Sequence, residues 1–531
     1  MKKQIFLTLL VLFSILFSGN SFGQKKYWIV FTDKQDVSFN PYTYFDQRTI
    51  EKRAKAGISL VQFSDLPLNA DYCEIIEEYG EITTESRWLN AVAVSLKASD
   101  LKNIRELPIV KEIVAIQNME LADYKRSEDI SPEELIHINK QLEVFGGDLF
   151  LENNIDGKGV RIAVFDGGFP GVDTHDMFSH IRDDGRIIAS YDFVNKDEFV
   201  YDFNSHGTSV LACIAGKLDS TRFGLGTGAE FLLARTEVNP EIFEEEENWA
   251  AAMEWADKNG ADIISSSLGY THDRYFPKQM DGETVFVTRM ANLAAKKGML
   301  VVNAAGNDGD KDWEVIGAPA DADSVLTVGG VDPGTLVHVD FSSYGPTFDG
   351  RMKPNVVAFG EVITAGKKSI KRAFGTSFSA PLVSGFAACI MQIQPEWGNM
   401  KVFDEIQKSG HLYPYYDYAH GFGIPQASYF INKKEYIEET FKIVEYLDDI
   451  EIKLIISDSD SGKDIPEKDF GQPIDDNYLY YHIADKETGK IRKYAVVNMS
   501  TSDVFSISLD ELQEGELVKA HYNGFTNEYI F

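Results

Sequence analysis

The sequence predicts an α/β protein whose largest domain is a mostly parallel β-sheet with helices on both faces. Short, nearly all-apolar segments alternate with helical segments along the middle of the chain, which is typical of parallel strands covered on both sides. The strand candidates are residues 160–165, 231–234, 262–265, 299–303 and 325–328, with helices at 249–258 and 285–297 between them. A chain of 531 residues exceeds one ordinary core, so about two to four domains are expected.

The amino terminus has the three regions of a secretory signal peptide. Met1-Lys2-Lys3 is followed by an apolar run over residues 5–17 and then by the mostly small residues 21–23. The apolar run is short for a bilayer span, which disfavours the alternative of an uncleaved anchor. We therefore expect a signal peptide over residues 1–23 and export to the extracellular space, the periplasm or the cell envelope. Stable membrane insertion is not expected once the signal is removed.

A small α+β unit is predicted after the signal peptide. Its strand candidates are residues 27–31, 89–96 and 110–116, with helices at 69–79 and 99–107 and a further strand candidate at 81–84. With the further strand candidate counted, the order is β-α-β-β-α-β, that of a ferredoxin-like fold. The polar residues 120–134, which are rich in charge and contain Ser-Pro, predict an exposed linker.

The other end of the chain is predicted to be rich in β-structure. Alternating strand candidates at residues 450–456, 477–483, 492–497 and 517–521 favour a small β-sandwich.

Charge and cysteine content restrict the classes of partner and of stabilisation. Acidic residues number 83 against 51 basic residues, and the net charge of −32 argues against nucleic acid or an anionic membrane as a partner. The three cysteines, Cys73, Cys213 and Cys389, are too few for a disulfide framework. Cys213 and Cys389 lie in apolar helical segments, which favours buried free thiols over a single bridge between them.

A serine lies at the junction between a loop and an apolar helix. The segment 375–381 (Gly-Thr-Ser-Phe-Ser-Ala-Pro) precedes residues 382–392, which have helical length and many small side chains. The first turn of a helix has unpaired N–H groups and the positive end of the macrodipole, and both would stabilise an oxyanion beside Ser377. Pro381 is predicted to lie in that first turn. The alternative is that Ser377 is a helix cap.

Two upstream residues favour the catalytic interpretation. Asp166 ends an apolar strand candidate and is followed by two glycines, and His206 precedes the apolar helix predicted over residues 209–215. Asp, His and Ser thus occur in this chain order, each at a strand end or a helix start. A serine becomes a nucleophile when a histidine takes its proton and a carboxylate orients the histidine.

The chain resembles the subtilisin-like serine proteases (subtilases) over about residues 157–430. Six segments match the motifs of that family in the same order: 166–168 (Asp-Gly-Gly), 206–209 (His-Gly-Thr-Ser), 267–269 (Ser-Leu-Gly), 304–307 (Ala-Ala-Gly-Asn), 341–346 (Phe-Ser-Ser-Tyr-Gly-Pro) and 375–381. The resemblance implies a subtilisin-like fold and a serine endopeptidase that acts through an acyl-enzyme.

The resemblance also implies a role for each site residue. Ser377 would attack the scissile carbonyl, His206 would carry the proton, and Asp166 would orient the imidazole. Asn307 would donate to the oxyanion together with the Ser377 N–H. A turn residue after a strand is the alternative for Asn307, but the Ala-Ala-Gly-Asn context favours the catalytic role.

Substrate contacts are implied at the segment Ser267, Leu268 and Gly269. In the family this edge pairs with an extended polypeptide, as an added strand would. Trp313 either lines the primary specificity pocket or is a packing anchor, and Ala318-Pro319 matches a peptide bond that is often cis in the family. Phe378 replaces the usual methionine, which removes a readily oxidised sulfur beside the site.

The resemblance suggests a precursor with four regions: a signal peptide (1–23), a propeptide (24–120), a catalytic domain (121–433) and a β-rich domain (434–531). The propeptide would inhibit the protease until it is removed autocatalytically in the linker; a permanently attached accessory domain is the alternative. The β-rich domain could stabilise the protease, bind substrate or the cell surface, or direct sorting.

No cofactor is required for this chemistry, and no metal site is predicted. Many subtilases bind structural calcium, but no loop of this sequence maps onto those sites. Residues 458–464 have spaced carboxylates without the EF-hand pattern, so a solvated turn is favoured there. The acidic residues 244–247 are expected to precede a helix and complement its dipole. Two rival hypotheses are a pseudoenzyme scaffold, against which the intact triad argues, and an adhesin that acts through its β-rich domain.

Overall fold

The computed structural model describes residues 24–97, 99–115, 130–238, 244–271, 274–432, 438–455 and 477–531. The predicted signal peptide, most of the predicted linker and the acidic residues 458–464 lie outside the described residues. The described chain divides into two compact units. Of the described residues, the first unit contains those up to Phe39 and those from Gln62 to residue 115. The second unit contains Asn40–Val61 and everything from residue 130 onward.

The first unit is an antiparallel sheet covered by helices. The elements in residues 24–115 are α1 (Pro41–Tyr44), α2 (Gln47–Lys55), α3 (Ala70–Glu77), α4 (Leu101–Arg105), β1 (Gln24–Phe31), β2 (Ile82–Ser86), β3 (Ala91–Lys97) and β4 (Val110–Ala115). The sheet has the order β2-β3-β1-β4, and α3 and α4 contribute Ile76 and Ile104 to its core. Without α1 and α2, which belong to the second unit, the order is β-α-β-β-α-β. This confirms the α+β prediction, including the extra strand expected near residue 82.

The main sheet of the second unit is parallel, as predicted. Its strand order is β13-β12-β11-β10-β5-β9-β6, and every neighbouring pair is parallel. The strands of this region are β5 (Arg161–Asp166), β6 (Ile187–Asp192), β7 (Lys217–Leu218), β8 (Thr221–Arg222), β9 (Glu230–Arg235), β10 (Ile263–Ser266), β11 (Leu300–Ala304), β12 (Val325–Val331), β13 (Val356–Phe359), β14 (Glu361–Ala365) and β15 (Ile370–Phe374). Strands β5 and β10 to β13 are buried along their whole length. The half-exposed edge strand β6 lacks such a continuous apolar run and was missed in the sequence.

Helices cover this sheet, and the central one carries Ser377. They are α5 (Pro132–Glu143), α6 (Gly147–Glu152), α7 (Ser179–Asp183), α8 (His206–Ala215), α9 (Glu244–Lys258), α10 (Phe286–Lys296), α11 (Thr376–Ile393), α12 (Asn399–Lys408) and α13 (Ala427–Ile431). Helix α11 packs against α8 and β10 to β13. Among the described residues, α11 alone is long and apolar enough for a membrane span, but most of it is buried inside the protein. It is therefore the core helix of this domain.

Three helices begin earlier in the chain than the sequence predicts. Helix α8 starts at His206, α9 at Glu244, and α11 at Thr376. The acidic residues 245–247 therefore lie inside α9 and are buried, instead of preceding the helix. Pro381 is the sixth residue of α11 and not part of its first turn. The first turns of these helices contain polar residues, which do not continue the apolar pattern that predicts a helix. The groups that contact these polar residues come from other parts of the fold.

The chain ends in a β-sandwich, as predicted. Its strands are β16 (Phe441–Tyr446), β17 (Asp449–Leu454), β18 (Tyr478–Asp485), β19 (Ile491–Asn498), β20 (Val504–Ser508), β21 (Glu516–Tyr522) and β22 (Phe525–Ile530). Two antiparallel sheets, β16-β17-β20 and β19-β18-β21-β22, share one core that includes Ile450, Ile507, Leu479 and Val518.

The cysteines are free, as the sequence favours. Cys213 and Cys389 are fully buried in α8 and α11, and Cys73 is half-buried. Burial raises the pKa of the Cys213 thiol to about 12, so this group behaves as a small apolar side chain.

Candidate active site

Asp166 and His206 form a hydrogen-bonded pair at the carboxyl end of β5. His206 Nδ1 lies 2.8 Å from Asp166 Oδ2 and 3.0 Å from Oδ1. The carboxylate is almost completely buried and also accepts the Gly167 N–H at 2.7 Å. An acidic acceptor at Nδ1 places the ring proton there and leaves Nε2 able to accept a proton. The imidazole is about one-third exposed, so this second nitrogen is accessible from solvent.

A glycine allows α8 to approach β5 this closely. A Cβ atom on Gly207 would lie 2.4 Å from Gly168 O and 2.8 Å from Asp166 Cβ. No side chain fits at those distances without moving the backbone. The glycine after His206 is thus required for the contact between histidine and carboxylate.

Ser377 is the second residue of α11, where its N–H has no acceptor within the helix. Its Oγ donates to Ser267 O at 3.3 Å. Within the described chain it makes no hydrogen bond to His206, whose ring instead contacts Phe378 with 5.4 Å between ring centroids. Catalytic hydrogen bonds are often long or misaligned without substrate. If Ser377 Oγ donated to His206 instead of to Ser267 O, hydrogen bonds would link Asp166, His206 and Ser377 in one chain.

Ser267 compensates for the proline inside α11. In a regular helix the N–H of residue 381 would donate to Ser377 O, but proline has no N–H. Ser267 Oγ donates to Ser377 O at 2.7 Å and takes the place of the missing bond. The edge segment predicted to bind substrate is therefore hydrogen-bonded to the helix of the predicted nucleophile.

The Asn307 side chain is oriented by the same helix. Its Oδ1 accepts the Thr376 N–H at 2.9 Å and the Thr376 hydroxyl at 3.0 Å. Within the described chain the amide Nδ2 donates to no acceptor, so it is available to a ligand. A Cβ atom on Gly375, whose φ is +137°, would lie 3.5 Å from this nitrogen. Glycine therefore keeps the space in front of the amide open.

The segment Ser267 to Gly269 continues β10 beyond its carboxyl end. Leu268 O accepts from Asn303 Nδ2 at 2.9 Å, and Tyr270 pairs with Ala318 through two backbone hydrogen bonds. The Gly269 N–H and C=O have no backbone partner among the described residues, and a Cβ atom there would meet only Ala318 O at 4.0 Å. The segment is thus a fixed strand edge with free hydrogen-bonding groups.

Two further expectations concern the wall after Asn307. The Ala318-Pro319 bond is cis, as the resemblance predicts. Trp313 is only 3% exposed, which favours the packing anchor over the pocket role.

A buried acidic cluster behind the edge segment was missed in the sequence. Arg274 pairs with Glu245 at 2.9 Å and Glu246 at 3.3 Å, and the Tyr275 hydroxyl donates to Glu246 at 2.6 Å. Burial raises the pKa of both carboxyls, and the Arg274 guanidinium opposes that effect. The cluster joins the first turn of α9 to the chain that follows Gly269. The run of acidic residues at 244–247 was the only sequence signal for this cluster. It does not reveal the partner of Glu245 and Glu246, because Arg274 is distant in sequence.

The described residues contain no group of three or more His, Cys, Asp or Glu side chains that could hold a metal ion. The predicted site residues all lie at the carboxyl edge of the parallel sheet, where function gathers in such folds. The arrangement offers a serine hydroxyl, a carboxylate-bound imidazole, an amide donor and a free strand edge.

Comparison with known protein families gives two matches along this chain. A model of the subtilase family matches residues 157–423, and a model of the peptidase S8 propeptide domain of Bacteroidota matches residues 26–132. The first match includes every predicted site residue.

Curated relatives match at moderate identity. Serine protease AprX of Bacillus subtilis (strain 168) is 30% identical over 273 residues, which are 46% of this chain and 59% of that protein. Subtilisin NAT of Bacillus subtilis subsp. natto is 27% identical over 338 residues, which are 63% of this chain and 79% of that protein. Subtilisin-like protease SBT6.1 of Arabidopsis thaliana is 29% identical over 262 residues, 48% of this chain and 23% of that protein.

Proposed function

Because the chain belongs to the subtilase family of serine endopeptidases and carries a propeptide domain of that family, we propose that it is an exported endopeptidase that is made as a self-processing zymogen. The observation that carries this proposal is the geometry at the sheet edge. The Asp166–His206 pair, Ser377 at a helix start and the free Asn307 amide lie on elements that the fold brings together.

The proposed reaction proceeds through an acyl-enzyme. Ser377 Oγ attacks the scissile carbonyl carbon while its proton passes to His206 Nε2. Asp166 stabilises the resulting imidazolium without taking the proton. The oxyanion accepts hydrogen bonds from Asn307 Nδ2 and the Ser377 N–H. His206 then gives the proton to the leaving amine. Water next attacks the acyl carbonyl while His206 takes its proton, and His206 returns this proton to Ser377 Oγ as the acid is released. No cofactor takes part in these steps.

The substrate in this proposal is an extended polypeptide. The N–H and C=O of Gly269, which have no backbone partner among the described residues, support strand addition along the edge segment, since they match the hydrogen-bonding groups of an extended backbone. Main-chain pairing of this kind selects unfolded or extended segments and places little demand on side chains.

The propeptide domain is proposed to inhibit the enzyme until the chain is cut near residues 118–130, at or beside the predicted linker (residues 120–134). The amino-terminal signal pattern supports export, and inhibition before export protects the cell that makes the protease. Self-cleavage then requires Ser377.

Intact mass over time for the wild-type precursor and the Ser377→Ala variant tests this proposal. We expect only the wild type to lose an amino-terminal piece that ends near residues 118–130, and only the wild type to hydrolyse an unfolded polypeptide. If both chains stay whole and neither hydrolyses it, the proposal is wrong and the fold acts as a binding scaffold.

A further inference from the structure

A segment of the propeptide region belongs to the second unit and makes its contacts away from the candidate active site. Residues 40–61 fall within the match to the propeptide domain, yet they cluster with the second unit and not with the antiparallel sheet of the first. Arg48 donates to Gly159 O at 2.6 Å and pairs with Asp262. These acceptors precede β5 and β10, whereas the candidate active site lies at the carboxyl ends of the same strands. The segment therefore binds at the amino ends of these strands, opposite the end that carries the candidate active site.

A fully buried ion pair forms the centre of this contact. Arg53 Nη2 lies 2.6 Å from Asp257 Oδ2, and both side chains are 0% exposed. The guanidinium also lies 4.2 Å from the centre of the Phe45 ring. Removal of one partner from such a pair leaves an uncompensated buried charge, so the pair makes dissociation of the segment costly.

The segment also binds the carboxyl end of α9. The last carbonyls of a helix lack intrahelical donors and carry the negative end of its dipole. Here the Thr49 hydroxyl donates to Asp257 O at 2.6 Å, and the Asp46 N–H donates to Lys258 O at 2.8 Å. Lys52 donates to Ala261 O just beyond the helix. Residues 40–61 thus supply cations and hydrogen-bond donors to the carbonyl groups at and just beyond the carboxyl end of α9.

Charge distribution supports specific binding. Residues 40–61 contain the four basic residues Arg48, Lys52, Arg53 and Lys55 against two acidic residues, Asp46 and Glu51. The whole chain has a net charge of −32. A cationic helix in an acidic protein, facing Asp257 and Asp262, is complementary to its binding surface.

We propose that residues 40–61 are a latch: a second binding site that keeps the propeptide attached to the catalytic domain after the linker is cut, with the surface around Asp257 and Asp262 as its receptor. This inference rests on the proposed role of residues 24–120 as a propeptide. The latch is covalently continuous at both ends with the first unit, so a detached inhibitor rebinds at high effective concentration. Release of the propeptide therefore follows cleavage only after a delay.

The test uses the full chain with Ser377→Ala and a recognition site for an unrelated, specific protease placed within residues 118–129. Cleavage then depends on the added protease alone, and the half-time of propeptide release is followed by size exclusion and intact mass. We compare this chain with the same chain carrying Arg53→Met. Because interface changes act mainly on dissociation, we expect Arg53→Met to shorten the half-time by about 30-fold or more.

Matched variants control the comparison. Lys55→Ala changes a cation on the same helix whose partner Glu396 is 80% exposed, so we expect a change of less than about twofold. Thr49→Val removes the hydroxyl bonds to Asp257 O at 2.6 Å and Lys258 O at 3.5 Å without removing a charge, and it remains informative if Arg53→Met does not fold. We expect release about three- to tenfold faster. Equal half-times for the parent, Arg53→Met and Thr49→Val chains overturn the latch.

The two proposals fail in different ways. Wild-type chain that hydrolyses no polypeptide contradicts the proposed function, whatever the release times are. Propeptide that leaves as soon as the linker is cut contradicts the latch, even when the wild type is an active peptidase.

Discussion

At the scale of single residues, the site depends on side chains whose two ends have different tasks. Asn307 uses Oδ1 to accept from Thr376, and this leaves its Nδ2 free. Ser267 uses its carbonyl to accept from Ser377 Oγ and its hydroxyl to donate to Ser377 O. Each residue is thus held by one group while the other is presented to the site. Such preorganisation means that the Asn307 amide does not have to reorient at the moment of reaction, whereas Ser377 Oγ still has to turn from Ser267 O to His206.

The Asn307→Asp variant tests the amide donor. Aspartate keeps an oxygen for the Thr376 N–H but has no N–H to offer an oxyanion. We expect kcat to fall by about 100- to 1,000-fold with a small change in KM. Steady-state hydrolysis of a peptide substrate measures both. Thr376→Ser, which keeps the hydroxyl, serves as the control, and full activity in Asn307→Asp would show that the amide does not stabilise the transition state.

At the scale of elements, helix ends decide most of the function. His206 begins α8, Ser377 lies in the first turn of α11, and the acidic turn of α9 is buried against Arg274. The carboxyl end of α9 binds the latch. These ends are polar because unpaired backbone groups and the helix dipole favour charged or hydrogen-bonding partners there. The same polarity explains why the apolar pattern predicted these helices too short.

The Arg274→Met variant tests the role of the acidic turn. Glu245 and Glu246 would remain buried without their cation, and we expect a loss of about 3–5 kcal/mol in the free energy of unfolding at pH 8. Both carboxyls have a raised pKa, so their ionisation costs stability as the pH rises above the unfolded value. The loss should shrink as the pH falls towards 4.5, the ordinary pKa of these groups.

Urea unfolding at several pH values measures this effect. Arg372→Met is the matched control, since its pair with Glu361 is 41% exposed on the arginine side and should contribute less than about 1 kcal/mol. A loss in Arg274→Met that is independent of pH would contradict the assignment to buried carboxylates.

At the scale of the whole molecule, buried histidines lie where the β-sandwich meets the loop before α13. The His482 ring stacks on Tyr415 with 5.1 Å between centroids, and its Nδ1 lies 2.7 Å from Tyr416 O. His521 is also buried beside Tyr415, and Asp417 accepts from His420 and from the Tyr415 hydroxyl. Burial lowers the pKa of His482 to about 4 and that of His521 to about 3. The sandwich therefore joins the rest of the unit through neutral imidazoles.

We expect the stability of this junction to depend on pH in the acid range. The folded pKa values of His482 and His521 lie below the ordinary value of 6.5, so the unfolded state binds more protons. Stability is complete above pH 6.5 and is lost as the pH falls towards 4, by about 3 kcal/mol for His482 alone.

Thermal unfolding of the Ser377→Ala chain from pH 7 to pH 4 measures this dependence without self-digestion. His482→Asn keeps a side-chain donor for Tyr416 O but does not titrate, so its melting temperature should fall less steeply with acid. Parallel curves for the two chains would mean that His482 does not contribute.

Local patterns predicted much of the fold and of the site. The continuous apolar runs of β5, β10, β11 and β12 predicted a covered parallel sheet, because strands buried on both faces have no polar alternation. Asp166, His206 and Ser377 were predicted as site residues because each lies beside a local signal, either a strand end before glycine or the start of an apolar helix. Strand β6 and the first turn of α9 were missed because their polar residues have tertiary partners.

The sequence by itself determined most of the elements and their order, the types of chemical group at the candidate site and the family to which the chain belongs. Only the tertiary structure decided which distant groups meet. Arg53 and Asp257 are 204 residues apart, Ser267 and Ser377 are 110 apart, and residues 40–61 belong to the second unit although the first unit flanks them in sequence. The physical reason is that periodicity reports which face of an element is buried, whereas hydrogen bonds and buried charges need a specific partner at about 3 Å, which the folded topology alone supplies.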